Sequence, residues 1–261
     1  MAEYLLDNRQ TEAGVRLRAL SELFDPWTFR HIDDLGIGPG WRCWEVGAGG
    51  ASVPHWMASR VGETGRVVAT DLDVSWMDAS LGPTVTVLRH DVSRDAVPGG
   101  PFDLVHARLV LVHVADRAGA LAAMTSALRP GGWLLLEDAD PALQPLLCLD
   151  EHGPEEALAN HLRRGFRELL AERGADLAYG RKLPRLLREA GLVDVRADAF
   201  FPVTSPACRV LERATVEQVR ARLVARGLAS DAEIDRHLAN VDAGTLDLTT
   251  SPLVSAWGSK R

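Results

Sequence analysis

The segment that decides the fold is Arg42–Ser52, which reads RCWEVGAGGAS. It passes from an apolar run into a cluster of glycines and then into a stretch typical of a helix. Glycines let the backbone turn tightly and approach a ligand closely. A helix that begins directly after such a turn presents free N–H groups and a partial positive charge to the ligand. The segment therefore predicts a strand, a ligand-binding loop and a helix, in that order.

Short apolar runs recur along the rest of the chain and alternate with stretches of helical character. The runs that we predict to be strands are Arg42–Val46, Val67–Asp71, Val85–His90, Phe102–Ala107, Trp133–Asp138, Val193–Phe200 and Leu253–Trp257. The first five of these runs are apolar throughout, which is typical of a parallel sheet covered by helices on both faces. The sequence therefore predicts an α/β fold with a Rossmann-like, doubly wound, mostly parallel seven-stranded sheet and helical cap insertions.

Three segments lie outside the central pattern of strands. Residues 1–40 are predicted to form an N-terminal helical lid, and residues 41–261 a core with cap insertions at about 139–180 and 205–250. In an open α/β sheet, ligands bind outside the carboxyl ends of the strands. Because the two insertions leave the sheet at that edge, we expect them to cap a pocket there.

Composition and charge exclude several classes of protein. The formal net charge of −7 argues against a nucleic-acid partner, because phosphate binding draws on clustered Lys and Arg. The sequence has no apolar run of the length that a membrane span needs, and its first residues do not resemble a secretory signal. We therefore expect a cytoplasmic location and no membrane partner. The isolated cysteines Cys43, Cys148 and Cys208 argue against a disulfide framework and a thiolate zinc cluster.

Two acidic residues follow predicted strands at positions that suit a nucleoside ligand. Asp71 ends the second strand, where a carboxylate can accept hydrogen bonds from both ribose hydroxyls. Asp91 follows the third strand and can accept from an adenine amino group, with Val92 as an apolar contact. Each acid also has a simpler interpretation as a turn or helix-capping residue, and the glycine cluster as a structural turn. A dinucleotide-binding motif is less well matched, because Ser52 occupies its last glycine position.

These segments together resemble the class I S-adenosylmethionine-dependent methyltransferases, especially the group related to ubiquinone-biosynthesis and small-molecule methyltransferases. EVGAGGA resembles the family's E/D-x-G-x-G-x-G loop, VVATDLD its ribose acid and RHDV its adenine acid. FDLVHARLVLVHV and LRPGGWLLLED resemble its fourth- and fifth-strand segments. The resemblance is detailed over residues 38–140, and Ala51 departs from it by replacing the third glycine.

The resemblance implies S-adenosyl-L-methionine as the cofactor. The residues that it places at the cofactor are Tyr4, Arg16, Glu45, Gly47, Ala48, Gly49, Asp71, Leu72, His90, Asp91, Val92, Ala107 and Arg108. Among them, Glu45 would order the glycine loop or reach the cofactor's amino group through water. Tyr4 and Arg16 would bind the cofactor carboxylate from the N-terminal helix, although both also suit exposed helix positions.

The sequence offers two candidates for a catalytic residue. Methyl transfer needs a general base only if the acceptor must lose a proton. His113, just beyond the fourth strand, titrates near neutrality and could take that proton, with a structural histidine as the alternative. Glu137, at the end of the fifth strand, could act as a base or bind an amine. Its acidic neighbours Asp138 and Asp140 could instead hold a divalent metal, but they suit a strand end and turn better, and no metal is predicted.

The sequence thus predicts methyl transfer by in-line displacement to an oxygen, nitrogen or carbon nucleophile of a small molecule, with specialised metabolism as one setting. Two alternatives remain open at this point. One is an NAD-dependent oxidoreductase on the same type of sheet, and the other is a non-catalytic protein that binds a nucleoside cofactor. The resemblance is compatible with a homodimer.

Overall fold

The computed structural model describes residues 5–6, 11–77 and 81–261. Its strands are β1 (Arg42–Val46), β2 (Arg66–Asp71), β3 (Val85–Arg89), β4 (Phe102–Arg108), β5 (Leu128–Ala139), β6 (Val193–Phe200) and β7 (Leu253–Ser259). Its helices are α1 (Thr11–Asp34), α2 (Ser52–Val61), α3 (Arg117–Ala127), α4 (Pro154–Glu172), α5 (Leu183–Glu189), α6 (Pro206–Ala225) and α7 (Asp231–Ala243). None of these helices is both long and apolar enough to cross a membrane.

The chain divides into two compact units. The sheet unit comprises Asp25–Ala139, Tyr179–Phe200 and Leu253–Arg261. The helical unit comprises Met1–Phe24, Asp140–Ala178 and Phe201–Pro252. The first segment of the helical unit ends within α1, whose later residues, including Ile32, join the apolar core of the sheet unit. The sequence-based division into a lid and a core with caps stays a prediction.

The sheet unit contains one sheet with the strand order β3-β2-β1-β4-β5-β7-β6. Strands β1 to β5 pair in parallel, and β7 runs antiparallel to both β5 and β6. The predicted mostly parallel, seven-stranded α/β sheet is therefore confirmed. The chain order reverses between β1 and β4, and such a switch point opens a crevice at the carboxyl ends of the strands.

The core of the sheet unit lies on the central strands. Trp44 on β1, Leu104 on β4 and Leu135 on β5 are completely buried, and Met57 of α2 packs into the same interior. The outermost strands, β3 and β6, instead consist of partly covered and exposed residues. The prediction that the first five strands are apolar throughout and covered on both faces is therefore wrong for β3, because a strand at the edge of the sheet is less completely covered.

The helical unit is built around α4, α6 and α7, which share a buried apolar cluster that includes Leu162, Val219 and Ile234. Helix α6 begins at Pro206, a residue type favoured in the first turn of a helix. Helix α7 begins with a capping box in which Ser230 and Glu233 satisfy each other's backbone N–H groups.

Candidate functional site

The loop after β1 requires glycine at its first position. Gly47 has a φ of +64° and Gly49 a φ of +62°, in the left-handed region that glycine adopts without steric cost. A Cβ atom on Gly47 would lie 2.3 Å from Cγ2 of Val110. Ala48 N also donates to Thr70 O at 2.9 Å, which ties the loop to β2. The loop is therefore held between the end of β2 and the segment that follows β4.

Asp71 joins the second strand to this loop. Its Oδ2 accepts a hydrogen bond from Gly49 N at 2.8 Å, and its Oδ1 accepts from Asp73 N at 3.0 Å. Burial raises the pKa of Asp71, and these backbone N–H groups offset part of that rise. A carboxylate offers about four acceptor positions, and the backbone N–H groups of Gly49, Leu72 and Asp73 act on this one, so it retains capacity for a ligand hydroxyl. The next side chain, Leu72, is 61% exposed and presents apolar surface beside the carboxylate.

Asp91 lies one strand further along the same edge of the sheet. His90 N donates to Asp71 O at 2.8 Å, so the segment that carries Asp91 begins directly beside Asp71. Asp91 Oδ1 accepts from both Ser93 N, at 3.0 Å, and Ser93 Oγ, at 2.6 Å. Burial acts to raise the pKa of Asp91, but these hydrogen bonds outweigh it and the pKa is lowered. Asp91 is therefore an ionised residue that orders its own turn, and Val92 beside it is buried.

His90 is a packing residue in this structure. Its ring is buried edge-on against Trp44, with centroids 5.7 Å apart. Its Nε2 lies 3.0 Å from Ala96 O, and Nδ1 has no hydrogen-bond partner within the described part of the chain. Its predicted contact with a cofactor stays a prediction.

Two predicted residues end β4 in different surroundings. Ala107 is buried and pairs with Val46 of β1. Arg108 directs its guanidinium to α1, where Nη2 lies 2.8 Å from Asp25 Oδ1 and Nη1 donates to Thr28 Oγ1 at 2.9 Å. The charge of Arg108 is thus already paired within the sheet unit.

His113 lies just beyond, at the end of a short 3-10 turn, Leu111–His113. Its side chain is partly exposed, and its backbone N–H donates to Val110 O at 3.0 Å. Val110 is the residue that closes against Gly47. His113 is therefore three residues beyond a direct contact of the glycine loop.

A buried histidine that the sequence analysis did not select connects two of the predicted acids. His106 on β4 lies with Nδ1 2.6 Å from Glu45 Oε2 and with Nε2 3.2 Å from Glu137 Oε2. Burial alone would lower the pKa of His106, but the two carboxylates raise it to about 9. The sequence shows only that His106 is an ionisable residue within an apolar run; its two partners become evident from the register of the strands.

Glu137 is enclosed by protein groups. Its Oε1 lies 3.1 Å from His31 Nδ1 and accepts from Ser255 Oγ at 2.7 Å, while Thr28 Oγ1 donates to Oε2. Burial opposes ionisation, but its histidine partners outweigh burial and hold the pKa of Glu137 far below its usual range. The neighbouring Asp138 is also buried, and burial raises its pKa well above the ordinary value.

The two residues predicted to bind the cofactor carboxylate lie outside the described part of the sheet unit, and their contact with a cofactor stays a prediction. Tyr4 lies outside the described residues. Arg16 belongs to the helical unit, where it is buried and donates from Nε to Gln218 Oε1 at 3.0 Å. Across the described residues, no group of three or more His, Cys, Asp or Glu side chains could hold a metal ion.

Comparison with known proteins identifies the family. A family model described as a methyltransferase domain matches residues 16–197. The chain belongs to this methyltransferase domain family. The match includes the glycine loop and Asp71, and the predicted resemblance to methyltransferases is confirmed.

Curated relatives of this methyltransferase domain act on different substrates. The ubiquinone/menaquinone biosynthesis C-methyltransferase of Ectopseudomonas mendocina is 30% identical over 130 residues, which are 47% of this chain and 51% of the relative. Phosphoethanolamine N-methyltransferase 1 of Arabidopsis thaliana is 24% identical over 201 residues, which are 73% of this chain and 37% of the relative. The matched region thus spans about half or less of these relatives.

Solved structures share the fold of the methyltransferase domain. Phosphoethanolamine N-methyltransferase 2 of Haemonchus contortus, in complex with phosphomonomethylethanolamine and S-adenosylhomocysteine, superposes with a TM-score of 0.59 at 17% identity. That match covers 98% of this chain and 59% of the other. The YcgJ protein of Bacillus subtilis gives a TM-score of 0.56 at 14% identity and covers 89% of this chain and 97% of the other. At such identities the likeness shows the fold alone.

Proposed function

We propose that this methyltransferase domain transfers the methyl group of S-adenosyl-L-methionine to a small-molecule acceptor. The observation that carries the proposal is the hydrogen bond from Gly49 N to Asp71 Oδ2, at 2.8 Å. This bond joins the glycine loop, which the resemblance assigns to the methionyl part of the cofactor, to Asp71, which it assigns to the ribose. Membership of the family supports methyl transfer over hydride transfer.

The residues at this edge fit the cofactor. Asp71 retains acceptor capacity for ribose hydroxyls, and the exposed Leu72 offers an apolar surface to adenine. A Cβ on Gly50 would meet nothing within 4 Å, so the loop is open on that side. Asp91 is ionised and can accept from the adenine amino group through the oxygen that Ser93 does not use. Gly47, Ala48 and Gly49 complete the set that we assign to the cofactor.

The cofactor supplies an electrophilic methyl group for in-line displacement. The protein must hold the acceptor nucleophile in line with the methyl group and exclude water. Positioning of this kind contributes roughly 7–11 kcal/mol in favourable models. The Gly47–Val110 contact and the Asp71–Gly49 hydrogen bond restrict movement of the loop, which is what positioning requires.

The structure separates the two catalytic candidates by their surroundings. Glu137 accepts hydrogen bonds from four side chains and is completely buried. We therefore assign it a positioning role and do not retain it as a candidate base. His113 is partly exposed next to the glycine-loop contact, and we retain it as the candidate base for acceptors that must lose a proton. A nucleophile that carries no proton would need neither residue.

The proposal is tested by calorimetric titration of the chain with S-adenosylmethionine, S-adenosylhomocysteine and NAD. We expect micromolar binding of the first two and none of NAD. Asp71→Asn should weaken both by at least about tenfold, since it removes the charge that ribose hydroxyls bond to. Asp150→Asn is the control, because Asp150 is 93% exposed in the other unit. Binding of NAD alone, or of none of the three, contradicts the proposal.

Turnover and assembly need separate measurements. Formation of S-adenosylhomocysteine in the presence of an acceptor library distinguishes an enzyme from a protein that only binds the cofactor, and it identifies the acceptor atom class. We expect the acceptor to be a metabolite, with neither nucleic acid nor membrane as partner, and the location to be cytoplasmic. Sedimentation velocity tests the homodimer that the family resemblance allows.

A further inference from the structure

Five ionisable side chains form a continuous line of hydrogen bonds in the sheet unit. They are Glu45, His106, Glu137, His31 and Asp198, and we call this set the carboxylate–imidazole column. The first two links measure 2.6 Å and 3.2 Å, from His106 to its two carboxylates. The next two, from His31 Nδ1 to Glu137 and from His31 Nε2 to Asp198, measure 3.1 Å and 3.0 Å. Each imidazole therefore joins two carboxylates through both of its ring nitrogens.

The column crosses the sheet from its centre to an edge. Glu45 lies opposite His106 in the β1–β4 pairing, and Glu137 and Asp198 both lie opposite Ser255 of β7. Glu45, His106 and Glu137 are buried, whereas the side chain of Asp198 is 41% exposed. One end of the column is thus a buried residue, two positions before Gly47 in the sequence, and the other end is open to solvent.

Each buried charge of the column is stabilised by the opposite charges next to it. Both ring nitrogens of His106 face carboxylate oxygens, so when both carboxylates are ionised both nitrogens donate and the ring is an imidazolium. Burial raises the pKa of Glu45, and His106 acts to lower it. Without the imidazolium, Glu45 and Glu137 would be two buried acids separated by one side chain, and burial would neutralise at least one of them. The other charges close to the column are Arg108 on β4, which acts on both glutamates, and its α1 partner Asp25. Arg30 pairs with Asp198 at the open end.

Glu45 is also held through its backbone, two residues before Gly47. Thr70 Oγ1 donates to Glu45 O at 3.2 Å and accepts from Trp44 Nε1 at 2.9 Å. The side chain and the carbonyl of Glu45 are therefore both fixed at the point where the chain enters the glycine loop. A change at His106 would reach the loop through this residue.

We propose that His106 is a positioning residue for cofactor binding, which fixes Glu45 where the chain enters the glycine loop and is itself held by Glu137 and the rest of the column. The inference rests on the proposed function, because the ligand whose binding it supports is S-adenosylmethionine. The inference gives His106 an indirect role, in which it acts on the cofactor site through Glu45.

The first test is a double-mutant cycle with His106→Gln and Glu45→Gln, read by calorimetric titration with S-adenosylhomocysteine. We expect His106→Gln to weaken binding by about tenfold, as is typical of residues coupled in one hydrogen-bond network. In the Glu45→Gln background, the same substitution should cause less than a twofold further loss. His152→Gln is the matched control, because His152 is 69% exposed in the helical unit, and it should leave binding unchanged. Unchanged affinity in His106→Gln, or the same loss in both backgrounds, overturns the proposal.

The second test needs neither a ligand nor a folded variant. Nitrogen-15 NMR of the labelled wild-type chain follows the protonation of His106 directly with pH. We expect the ring to stay an imidazolium through neutral pH and to titrate near pH 9. A ring that titrates near 6.5 overturns the proposal whatever the protein binds. An imidazolium in a wild-type chain that fails to bind S-adenosylhomocysteine refutes the proposed function, and the positioning role fails with it.

Discussion

Substitution of Glu137 by glutamine tests whether the buried carboxylate stabilises the sheet unit. In the wild type, its two oxygens accept from His31, His106, Thr28 and Ser255. A glutamine amide offers one oxygen and one NH2 group, so the NH2 group must face donors that the carboxylate satisfied. It also leaves the His106 imidazolium with one carboxylate in place of two.

The expected loss follows from the burial of the pair. Removal of one partner of a buried ion pair costs about 3–5 kcal/mol, because the other charge remains in a low-dielectric site. We expect about 3 kcal/mol at pH 7, since the two hydroxyl partners can rotate to accept from the new amide. The free energy of unfolding of a typical protein is about 5–15 kcal/mol, so this loss would be a large fraction of the total. Because the pKa of Glu137 is depressed in the folded state, its stabilisation is present above the unfolded pKa of 4.5 and is lost at lower pH.

Asp138 provides the matched control, one residue further along β5. It is as buried as Glu137, but burial raises its pKa well above the ordinary value, which favours the neutral carboxyl group. Asparagine is a neutral replacement of the same shape and retains an oxygen that accepts from the N–H groups of Leu111 and Val112. We therefore expect Asp138→Asn to change stability by no more than about 1 kcal/mol.

Urea denaturation at pH 7 measures both effects through tryptophan fluorescence and circular dichroism, with the midpoint and slope compared among the three proteins. The comparison is repeated at pH 4, where the deficit of Glu137→Gln should shrink. A loss below about 1 kcal/mol for Glu137→Gln, or an equal loss for Asp138→Asn, would refute the stabilising role of the Glu137 charge.

Three further outcomes are expected. The pKa of His106 is raised to about 9, so its stabilisation is complete below pH 6.5 and is lost as pH rises through 9. The free energy of unfolding, from urea denaturation at pH 6 to 10, should fall by up to about 1.4 kcal/mol per pH unit, and less steeply in His106→Gln. Gly47→Ala should lower the free energy of unfolding by at least about 2 kcal/mol in thermal denaturation, because Gly47 has a positive φ and a Cβ there would clash with Val110. Gly50→Ala, whose Cβ would meet open space, should lower it by less than about 0.5 kcal/mol. Ser230→Ala removes the capping box of α7 and should cost about 1 kcal/mol; an unchanged melting temperature would contradict that role.

The central part of the fold could be predicted because its signals are local. The glycine loop, the acid at the end of β2 and the apolar runs each follow from residues adjacent in sequence, and the structure places Gly49 against Asp71 as those signals imply. Start points were harder to predict where a strand or helix extends beyond its apolar run. β5 begins at Leu128, five residues before the predicted start at Trp133.

The carboxylate–imidazole column could not be predicted, because its contacts depend on pairing between distant segments. Glu45 and His106 meet through the register of β1 with β4, and His31 meets Glu137 through the packing of a helix that precedes the whole sheet. No local pattern encodes either contact. The roles assigned to individual cofactor residues also stay predictions, since they come from the family and not from these contacts.

The burial of all three cysteines has a practical consequence. Cys43, Cys148 and Cys208 are free thiols in the interior, and burial raises the pKa of each, for Cys148 to about 12. Since the thiolate is the reactive form, the native cysteines should not react with maleimide reagents at neutral pH. Cysteines introduced at the exposed positions Glu63 and Arg164, one in each unit, would then carry a fluorophore pair without any change to the natural thiols. Single-molecule energy transfer could follow the distance between the two units, with and without ligand, in an otherwise native chain.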